Sequence, residues 1–233
     1  MNFVNELIKK AKEKDITLNE KQAKDLEEFS RLLIEENQKY NLTAITQEKD
    51  IINKHFIDSL AGARFIDEKD RVIDIGSGAG FPSVPLRVVT NSQFLLLDSL
   101  NKRVGFLKKA IQQLQLVKMQ TLHSRIEDAA CLKEYRHCFD KVLARAVAPL
   151  NILIEYALPF LKKGGSLIAY KGKGAKEEIE LSQNALKVMA AKIDEIFEYE
   201  IEGEKRVILV IKSLGGEHKG YPRAQNKPRK KPL

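Results

Sequence analysis

The segment DIGSGAGF places one acid and three alternating glycines at the end of an apolar stretch. Asp74 stands two residues before Gly76, and Gly78 and Gly80 follow at every second position. Glycine allows a sharp backbone turn and lets a ligand lie directly against the main chain. A dinucleotide-binding turn of the GxGxxG type needs glycine where this chain has Phe81. The spacing GxGxG therefore indicates another kind of ligand-binding turn; a turn that merely requires glycine is the alternative.

A second acid, Asp98, ends the next apolar stretch. A carboxylate there can accept hydrogen bonds from both hydroxyls of a ribose, although either Asp98 or Ser99 can instead cap the helix that follows. Further along, SRIEDA offers Ile126 as a surface for a base, with Glu127 or Asp128 for its amino edge. Acids are also common in the first turn of a helix. Together with the glycines, these residues predict a nucleoside site.

Five short apolar segments must position these residues. They are RVIDIG (71–76), QFLLLD (93–98), VKMQTL (117–122), FDKVLARA (139–146) and GSLIAYKG (165–172). Their alternation with helical stretches predicts a mostly parallel sheet covered on both faces. FEYEIEG and KRVILVIKS are separated by little more than a turn, so they must be antiparallel. The prediction is an α/β, Rossmann-like fold with a seven-stranded sheet, in which a terminal antiparallel hairpin follows five parallel strands.

Three helices are predicted before the first strand, because apolar residues recur there at helical spacing. The three apolar faces are Phe3, Val4, Leu7, Ile8 and Ala11; Ala23, Leu26, Phe29, Leu33 and Ile34; and Ile51, Ile52, Phe56, Ile57, Leu60 and Ala61, the last within a helix over 50–65. Asn19 is the expected N-cap of the second helix, and NQKYNLTAI is expected to be a loop. We predict a helical extension (1–66), a Rossmann-like core (67–213) and a basic tail (214–233).

The composition, 43% hydrophobic and 31% charged, is typical of a globular protein with a substantial core. No apolar run reaches the roughly 18 residues of a membrane span, and the amphipathic start does not resemble a signal peptide. A cytoplasmic protein is expected. Cys131 and Cys138 are expected to be free thiols that pack in the fold. The four histidines are scattered, so no metal site is expected.

The net charge of +8 is concentrated at one end of the chain. Residues 217–233 hold six Lys/Arg and one acid, whereas residues 1–66 hold 11 Lys/Arg and 12 Asp/Glu. A basic tail on a balanced body indicates a polyanionic partner. The alternative is a disordered, solubilising terminus.

Seven blocks now point to a family. They are YNLTAI (40–45), HFIDSL (55–60), DIGSGAGFPSVPL (74–86), DSLNKR (98–103), ARAVAPL (144–150), AYKG (169–172) and the closing YPR…KPL. Over nearly its whole length the chain resembles the bacterial 16S rRNA guanine-N7 methyltransferases, also called glucose-inhibited division protein B. The glycine turn itself resembles the cofactor loop of S-adenosylmethionine-dependent methyltransferases. Ser83 stands where many relatives have glycine, and AQNKPRKK is also variant.

The resemblance implies S-adenosylmethionine as cofactor and 16S rRNA or the 30S subunit as partner; a monomer without metal or membrane is expected. The implied cofactor-binding residues are Asp74, Gly76, Ser77, Gly78, Gly80, Phe81, Asp98, Ile126, Glu127 and Arg145. The implied catalytic residues are Arg145, Lys171, His55 and Asp58. The implied RNA contacts are Tyr221, Arg223, Lys227, Arg229, Lys230 and Lys231. Alternatively, His55 and Asp58 only pair with each other, and Lys171 only caps a strand.

Transfer to guanine N7 suits this sequence, because N7 carries a lone pair and no proton and so needs no general base. The DPPY-type motif of exocyclic-amine enzymes and the proline-cysteine context of cytosine-C5 enzymes are absent. Catalysis would then rest on alignment of the reacting atoms. A cation at the acceptor would oppose the charge that develops there, so Arg145 is expected to bind phosphate or the cofactor carboxylate.

N7 lies on the major-groove edge, which side chains reach poorly in A-form RNA, so the target is expected to be unpaired. The tail is expected to bind phosphates and to leave cofactor affinity unchanged. Two alternatives stay open at this point: a methyltransferase acting on a small molecule or protein, and a non-catalytic RNA-binding module with a nucleotide pocket.

Overall fold

The computed structural model describes residues 2–224 and 226–233. Seven strands form one sheet: β1 (Arg71–Ile75), β2 (Gln93–Asp98), β3 (Met119–His123), β4 (Phe139–Arg145), β5 (Leu161–Lys171), β6 (Ala191–Ile201) and β7 (Glu204–Ser213). Their order is β3-β2-β1-β4-β5-β7-β6. The first five strands are parallel, and β7 is antiparallel to both β5 and β6. The predicted fold class, sheet and terminal hairpin are confirmed.

Helices cover both faces of the sheet. On one face lie α1 (Phe3–Lys12), α2 (Glu20–Tyr40), α3 (Glu48–Asp50), a π-helical segment (Ile51–Ile57), α4 (Asp58–Leu60), α5 (Ser83–Val89) and α6 (Asn101–Gln113). On the other lie α7 (Ile126–Ala129), α8 (Leu150–Ala157), α9 (Ala175–Leu181) and α10 (Gln183–Val188). A short helix, α11 (Lys227–Lys230), lies in the tail. Side chains alternate along each strand, so Val72 packs under the first face and Ile73 under the second.

Several boundaries differ from the sequence prediction. Asn19 caps α2 in a capping box with Gln22, as expected, but α2 continues through Tyr40 into the predicted loop. The third helix ends at Leu60 rather than at residue 65, because two short turns around Gly62 follow it. Cys131 is exposed, so the expectation that it packs in the fold is wrong.

The helical extension is bound tightly to the core. The Tyr170 hydroxyl of β5 donates a 2.7 Å hydrogen bond to the Ser59 carbonyl of α4. Gly62 makes this approach possible, because a Cβ at that position would overlap the Tyr170 hydroxyl. Phe29 of α2 is fully buried against the rings of Phe81 and Phe106. The extension therefore forms part of the helical layer that covers one face of the sheet.

The basic tail is also packed against the core. Glu155 of α8 is fully buried and accepts hydrogen bonds from the Arg223 backbone N–H, Nε and Nη2 at 2.8, 2.9 and 2.6 Å. The Arg136 guanidinium donates to the carbonyls of Glu217, His218 and Tyr221. Within residues 2–224 and 226–233, no helix combines the length and apolar character needed to span a membrane.

A pair of glycine substitutions tests how the extension is attached. We expect Gly62→Ala to lower the free energy of unfolding by about 1–3 kcal/mol, because the added methyl group displaces Tyr170. Gly105→Ala is the control: it lies exposed in α6 with open space around it, and we expect a gain of up to about 1 kcal/mol. Urea unfolding measures both. A Gly62→Ala protein as stable as the parent would contradict this account of the contact.

Candidate functional site

The glycine turn lies at the carboxyl edge of the sheet, between β1 and α5. Gly76, Gly78 and Gly80 have φ of +74°, +56° and +89°, values that favour glycine. Asp74 is buried beneath the turn, where one of its carboxylate oxygens accepts a 2.7 Å hydrogen bond from the Ser83 hydroxyl. Burial raises the pKa of Asp74 to about 7. Asp74 thus shapes the turn from below, and Ser83, the variant position, is its partner.

Asp98 closes the turn from the neighbouring strand. Its Oδ2 accepts the Gly78 backbone N–H at 2.9 Å, and its Oδ1 accepts the Leu100 backbone N–H at 2.8 Å. Arg103 lies 3.4 Å from the same carboxylate. Asp98 thus orders the chain just before α6, whose N-cap is Leu100, and it also lines a cavity, so its role toward a ribose stays a prediction. A carboxylate offers about four acceptor positions, so capacity for a ligand hydroxyl is left.

A first cavity of about 250 Å³ opens in front of this turn. Its walls are the ends of β1, β2, β3 and β4 together with part of α8 and the tail. The lining residues are Gly76, Leu97, Asp98, Ser99, Arg103, Ser124, Arg125, Ile126, Glu127, Ala146, Val147, Tyr156, Asn226 and Arg229. Ile126 and Glu127 thus line this cavity, whereas Asp128 is exposed, and their contact with an adenine stays a prediction.

The side chains that line the first cavity suit a nucleoside cofactor. Leu97 and Ile126 offer apolar surface for a base, Asp98 can accept from a ribose diol, and Glu127 can accept from an amino edge. A Cβ on Gly76 would come within 3.1 Å of Val147, so the turn and the β4 wall already approach closely. The residues present therefore fit the adenosine half of S-adenosylmethionine.

A second cavity of about 640 Å³ adjoins the first beyond the end of β4. The two share Ala146 and Val147. Ala146 has a φ of +56°, a strained conformation for a residue with a side chain and one that recurs at functional sites. The other lining residues are Ile45, Lys54, Asp58, Ala144, Arg145, Ala148, Pro149, Leu153, Tyr170, Lys171, Gly172, Glu178 and Arg206.

Arg145 is the centre of a hydrogen-bond network between the sheet and the extension. Its Nη1 donates to Asp58 Oδ2 at 2.7 Å, and its Nη2 donates to His55 Nδ1 at 2.8 Å. Asp58 also accepts the Tyr199 hydroxyl at 2.8 Å, and the His55 Nε2 lies 2.9 Å from the Thr43 hydroxyl. His55 and Asp58 therefore both bind Arg145, and the prediction that they only pair with each other is wrong.

His55 is held as a neutral imidazole. Burial lowers its pKa to about 3, and the neighbouring Arg145 guanidinium acts in the same direction. With Nδ1 accepting from Arg145, the ring proton sits on Nε2 and points to Thr43. The ring stacks on Phe81, with centroids 4.2 Å apart. Phe81 thus supports the network as well as the glycine turn, and its side chain is buried.

Lys171 stands at the end of β5, and its ammonium group has two partners. Its Nζ lies 2.6 Å from Glu178 Oε2 and donates to the Ala148 carbonyl at 2.9 Å. Glu178 also accepts the Leu150 backbone N–H. Lys171 therefore ties α9 to the loop after β4, on the wall of the second cavity.

The structure divides the predicted RNA contacts into two groups. Arg223 is committed to buried Glu155, and Arg229 donates a 3.0 Å hydrogen bond to the Val147 carbonyl. Tyr221 is partly buried against the second face of the core. Of the predicted RNA contacts, Lys227, Arg229, Lys230 and Lys231 are exposed.

Several residues of the site were not predicted from the sequence. Thr43 belongs to YNLTAI, one of the seven blocks of the family resemblance, so the sequence holds a signal for it. Tyr199, Tyr156 and Glu155 had none, because each reaches the site from a distant strand or helix whose local pattern only reports burial. Among residues 2–224 and 226–233, no group of three His, Cys, Asp or Glu side chains is arranged to hold a metal.

Solved structures with the same fold define the class. A SAM-dependent methyltransferase from Aquifex aeolicus superposes with a TM-score of 0.55 at 14% identity, covering 73% of this chain and 96% of that one. M. jannaschii TYW2 in complex with AdoMet gives a TM-score of 0.54 at 15% identity, covering 67% and 74%. The fold is that of the S-adenosylmethionine-dependent methyltransferases.

Closer relatives define the family. The family model described as rRNA small subunit methyltransferase G matches residues 22–208. Ribosomal RNA small subunit methyltransferase G of Desulfitobacterium hafniense (strain Y51) is 44% identical over 222 residues, 94% of this chain and 92% of the relative. Its namesake in Thermoanaerobacter pseudethanolicus is 43% identical over 232 residues, 97% of each. The chain belongs to this family, as the sequence resemblance predicted.

The buried neutral imidazole predicts a pH-dependent stability. Because the pKa of His55 is lower in the folded than in the unfolded chain, the unfolded chain takes up a proton as pH falls below 6.5, while the folded chain does not until about pH 3. Relative to His55→Gln, the parent should lose about 2 kcal/mol of unfolding free energy between pH 7 and pH 5. Urea titrations at each pH measure this, and exposed His123→Gln is the control. Parallel stability curves for the parent and His55→Gln would contradict it.

Proposed function

We propose that this protein transfers a methyl group from S-adenosylmethionine to N7 of a guanine in 16S rRNA of the small ribosomal subunit. The observation that carries the proposal is the pair of adjoining cavities at the carboxyl edge of the sheet, in a member of the rRNA small subunit methyltransferase G family. The first cavity would hold the cofactor and the second the base. A cytoplasmic location follows from the ribosomal substrate, and the monomeric state stays a prediction.

The charges around the second cavity support an acceptor that needs no base. S-adenosylmethionine supplies an electrophilic methyl group, which an in-plane lone pair can accept without loss of a proton. His55 is a poor proton acceptor because its Nδ1 already receives a hydrogen bond from Arg145. Asp58 is neutralised by Arg145 and bonded to Tyr199. Asp58, on the wall of the cavity, and His55, behind Arg145, are thus poorly suited to deprotonate a base there.

Arg145 has a positioning role in this proposal. Asp58 compensates its charge at 2.7 Å, so the guanidinium opposes positive charge on the acceptor much less than an unpaired cation would. Two of its five N–H donors are used, by Asp58 and His55, and the others remain for a phosphate or for the cofactor carboxylate. This assignment extends the sequence prediction for Arg145.

The proposal is tested with labelled S-adenosylmethionine and unmodified ribosomal RNA or 30S particles. We expect label in 16S rRNA and a modified guanine that maps to an unpaired site. Label in a protein or small molecule instead would support a different methyltransferase. Retention of RNA with no label transferred would support a non-catalytic binding module. Either outcome would overturn the proposed function.

The exposed lysines of the tail predict salt-dependent RNA binding. Lys227, Lys230 and Lys231 point to solvent beside the first cavity, so we propose that they bind phosphates. Replacing all three with Gln should weaken RNA binding and reduce the slope of log K against log salt by about 2, because each phosphate contact on single-stranded RNA contributes about 0.7. Filter binding from 50 to 200 mM salt measures this.

The matched control for the tail lysines is Lys9→Gln, Lys12→Gln and Lys14→Gln combined, which removes three exposed charges from the extension. None of these lysines lines either of the two cavities. An equal change in slope for both triple variants would show that the tail has no special part in RNA binding.

A further inference from the structure

The basic tail crosses the rim of the first cavity. We define the tail strap as residues 221–224 and 226–231. Two of its side chains, Asn226 and Arg229, line the cavity together with the ends of the sheet strands. The sequence predicted that the tail binds RNA and leaves cofactor affinity unchanged, yet these two tail side chains line the cavity proposed for the cofactor.

The tail strap connects opposite walls of the cavity. Arg229 Nη2 donates to the Val147 carbonyl at 3.0 Å, on the wall that follows β4. Asn226 Oδ1 accepts from Arg125 Nη2 at 2.7 Å, on the wall that follows β3. Arg125 also lies 3.3 Å from Glu127, one of the residues suited to an adenine edge. The strap therefore spans the mouth of the cavity between the β3 and β4 loops.

The attachment of the strap is strong enough to hold it there. At its start, the Arg223 guanidinium is bound bidentately by Glu155, which is fully buried in α8. Arg223 also donates to the Lys231 carbonyl at 2.9 Å, which joins the two ends of the strap. Breaking a buried ion pair of this kind is costly, because an unpaired charge is left inside the protein. The strap is thus anchored at both ends beside the cavity rather than being a loose tail.

From this arrangement we propose that the tail strap closes over the nucleoside half of the bound cofactor, with Arg229 as the contacting residue. The proposal rests on the proposed cofactor site in the first cavity. Arg229 stands beside Tyr156, whose pKa is raised mainly by burial while the guanidinium opposes that rise. A planar guanidinium among an aromatic ring and a carbonyl is suited to stack on a purine. Closure of this kind slows the release of a ligand more than it affects its entry.

The test measures binding of S-adenosylhomocysteine and 5′-methylthioadenosine to the full chain by calorimetry. We expect Arg229→Ala to weaken both by about five- to tenfold, the effect of losing a charged contact of about 1 kcal/mol or slightly more. The affinity for both probes should fall by the same factor, because both probes contain the same nucleoside. Arg31→Ala, the same change at an exposed position of α2, is the control and should bind like the parent.

Amide hydrogen exchange provides a second readout in the unaltered protein. Saturation with S-adenosylhomocysteine should slow exchange in residues 226–231, since a strap closed over a ligand opens less often. Unchanged exchange there, or equal affinities for the Arg229→Ala and Arg31→Ala proteins, would overturn the proposal. If Arg229→Ala weakened the binding of S-adenosylhomocysteine only, Arg229 would contact the amino-acid end of the ligand. That result would overturn the nucleoside assignment.

One further variant separates this proposal from the cofactor site on which it rests. Asp98→Ala should abolish measurable binding of both probes if the first cavity is the cofactor site. If the parent binds neither probe, or if Asp98→Ala binds like the parent, the cofactor site itself is misplaced. If Asp98→Ala fails to bind and Arg229→Ala binds like the parent, only the strap proposal is wrong.

Discussion

A parallel sheet must be buried on both faces, and this requirement accounts for much of the molecule. The core covers one face with α7 to α10, but α5 and α6 alone leave part of the other face open. The N-terminal extension completes that cover with α1, α2 and the π-helical segment. Because the cover reaches the carboxyl edge of the sheet, it brings His55 and Asp58 beside Arg145. Stability and site assembly thus depend on the same packing.

The ion pair between Asp58 and Arg145 is stable because neighbouring side chains supply further hydrogen bonds to both residues. Asp58 and Arg145 expose only 8% and 17% of their side chains, so each needs partners other than water. Tyr199 and His55 supply them, from β6 and from the π-helical segment. In a low-dielectric setting such a network is rigid when every member is satisfied and costly when one is missing. The network therefore fixes the direction of Arg145 at the wall of the second cavity.

The sequence predicted the sheet well, and four of the ten residues it assigned to the cofactor line the first cavity: Gly76, Asp98, Ile126 and Glu127. Buried parallel strands are short apolar runs, and the residues that end them, such as Asp98, meet at one edge. Glycines with positive φ mark the turn just as plainly. These signals are local, so they can be read from one segment at a time.

The remaining parts of the site depend on contacts between distant segments. Tyr199 reaches Asp58 across 141 positions, and Arg223 reaches Glu155 across 68. A buried glutamate in an apolar helix and a tyrosine in an edge strand carry no local sign of their partners. The charge of the tail indicates a polyanionic partner, but it does not indicate that Arg229 lies at the rim of a cavity. Packing determines which cations of the tail are exposed, and the amino-acid composition does not predict that packing.

The adjacency of the two cavities has a practical consequence. Ala146 and Val147 line both of them, and Ala146 carries no more than a methyl group. An inhibitor that joins an adenosine unit to a purine by a short tether over Ala146 would occupy both cavities at once. The second unit would then bind at the high effective concentration set by the tether, with a gain that neither fragment can reach alone. Selectivity over other enzymes that use the same cofactor would come from the second cavity, whose walls combine Lys54 and Asp58 of the extension with Arg145 of the sheet.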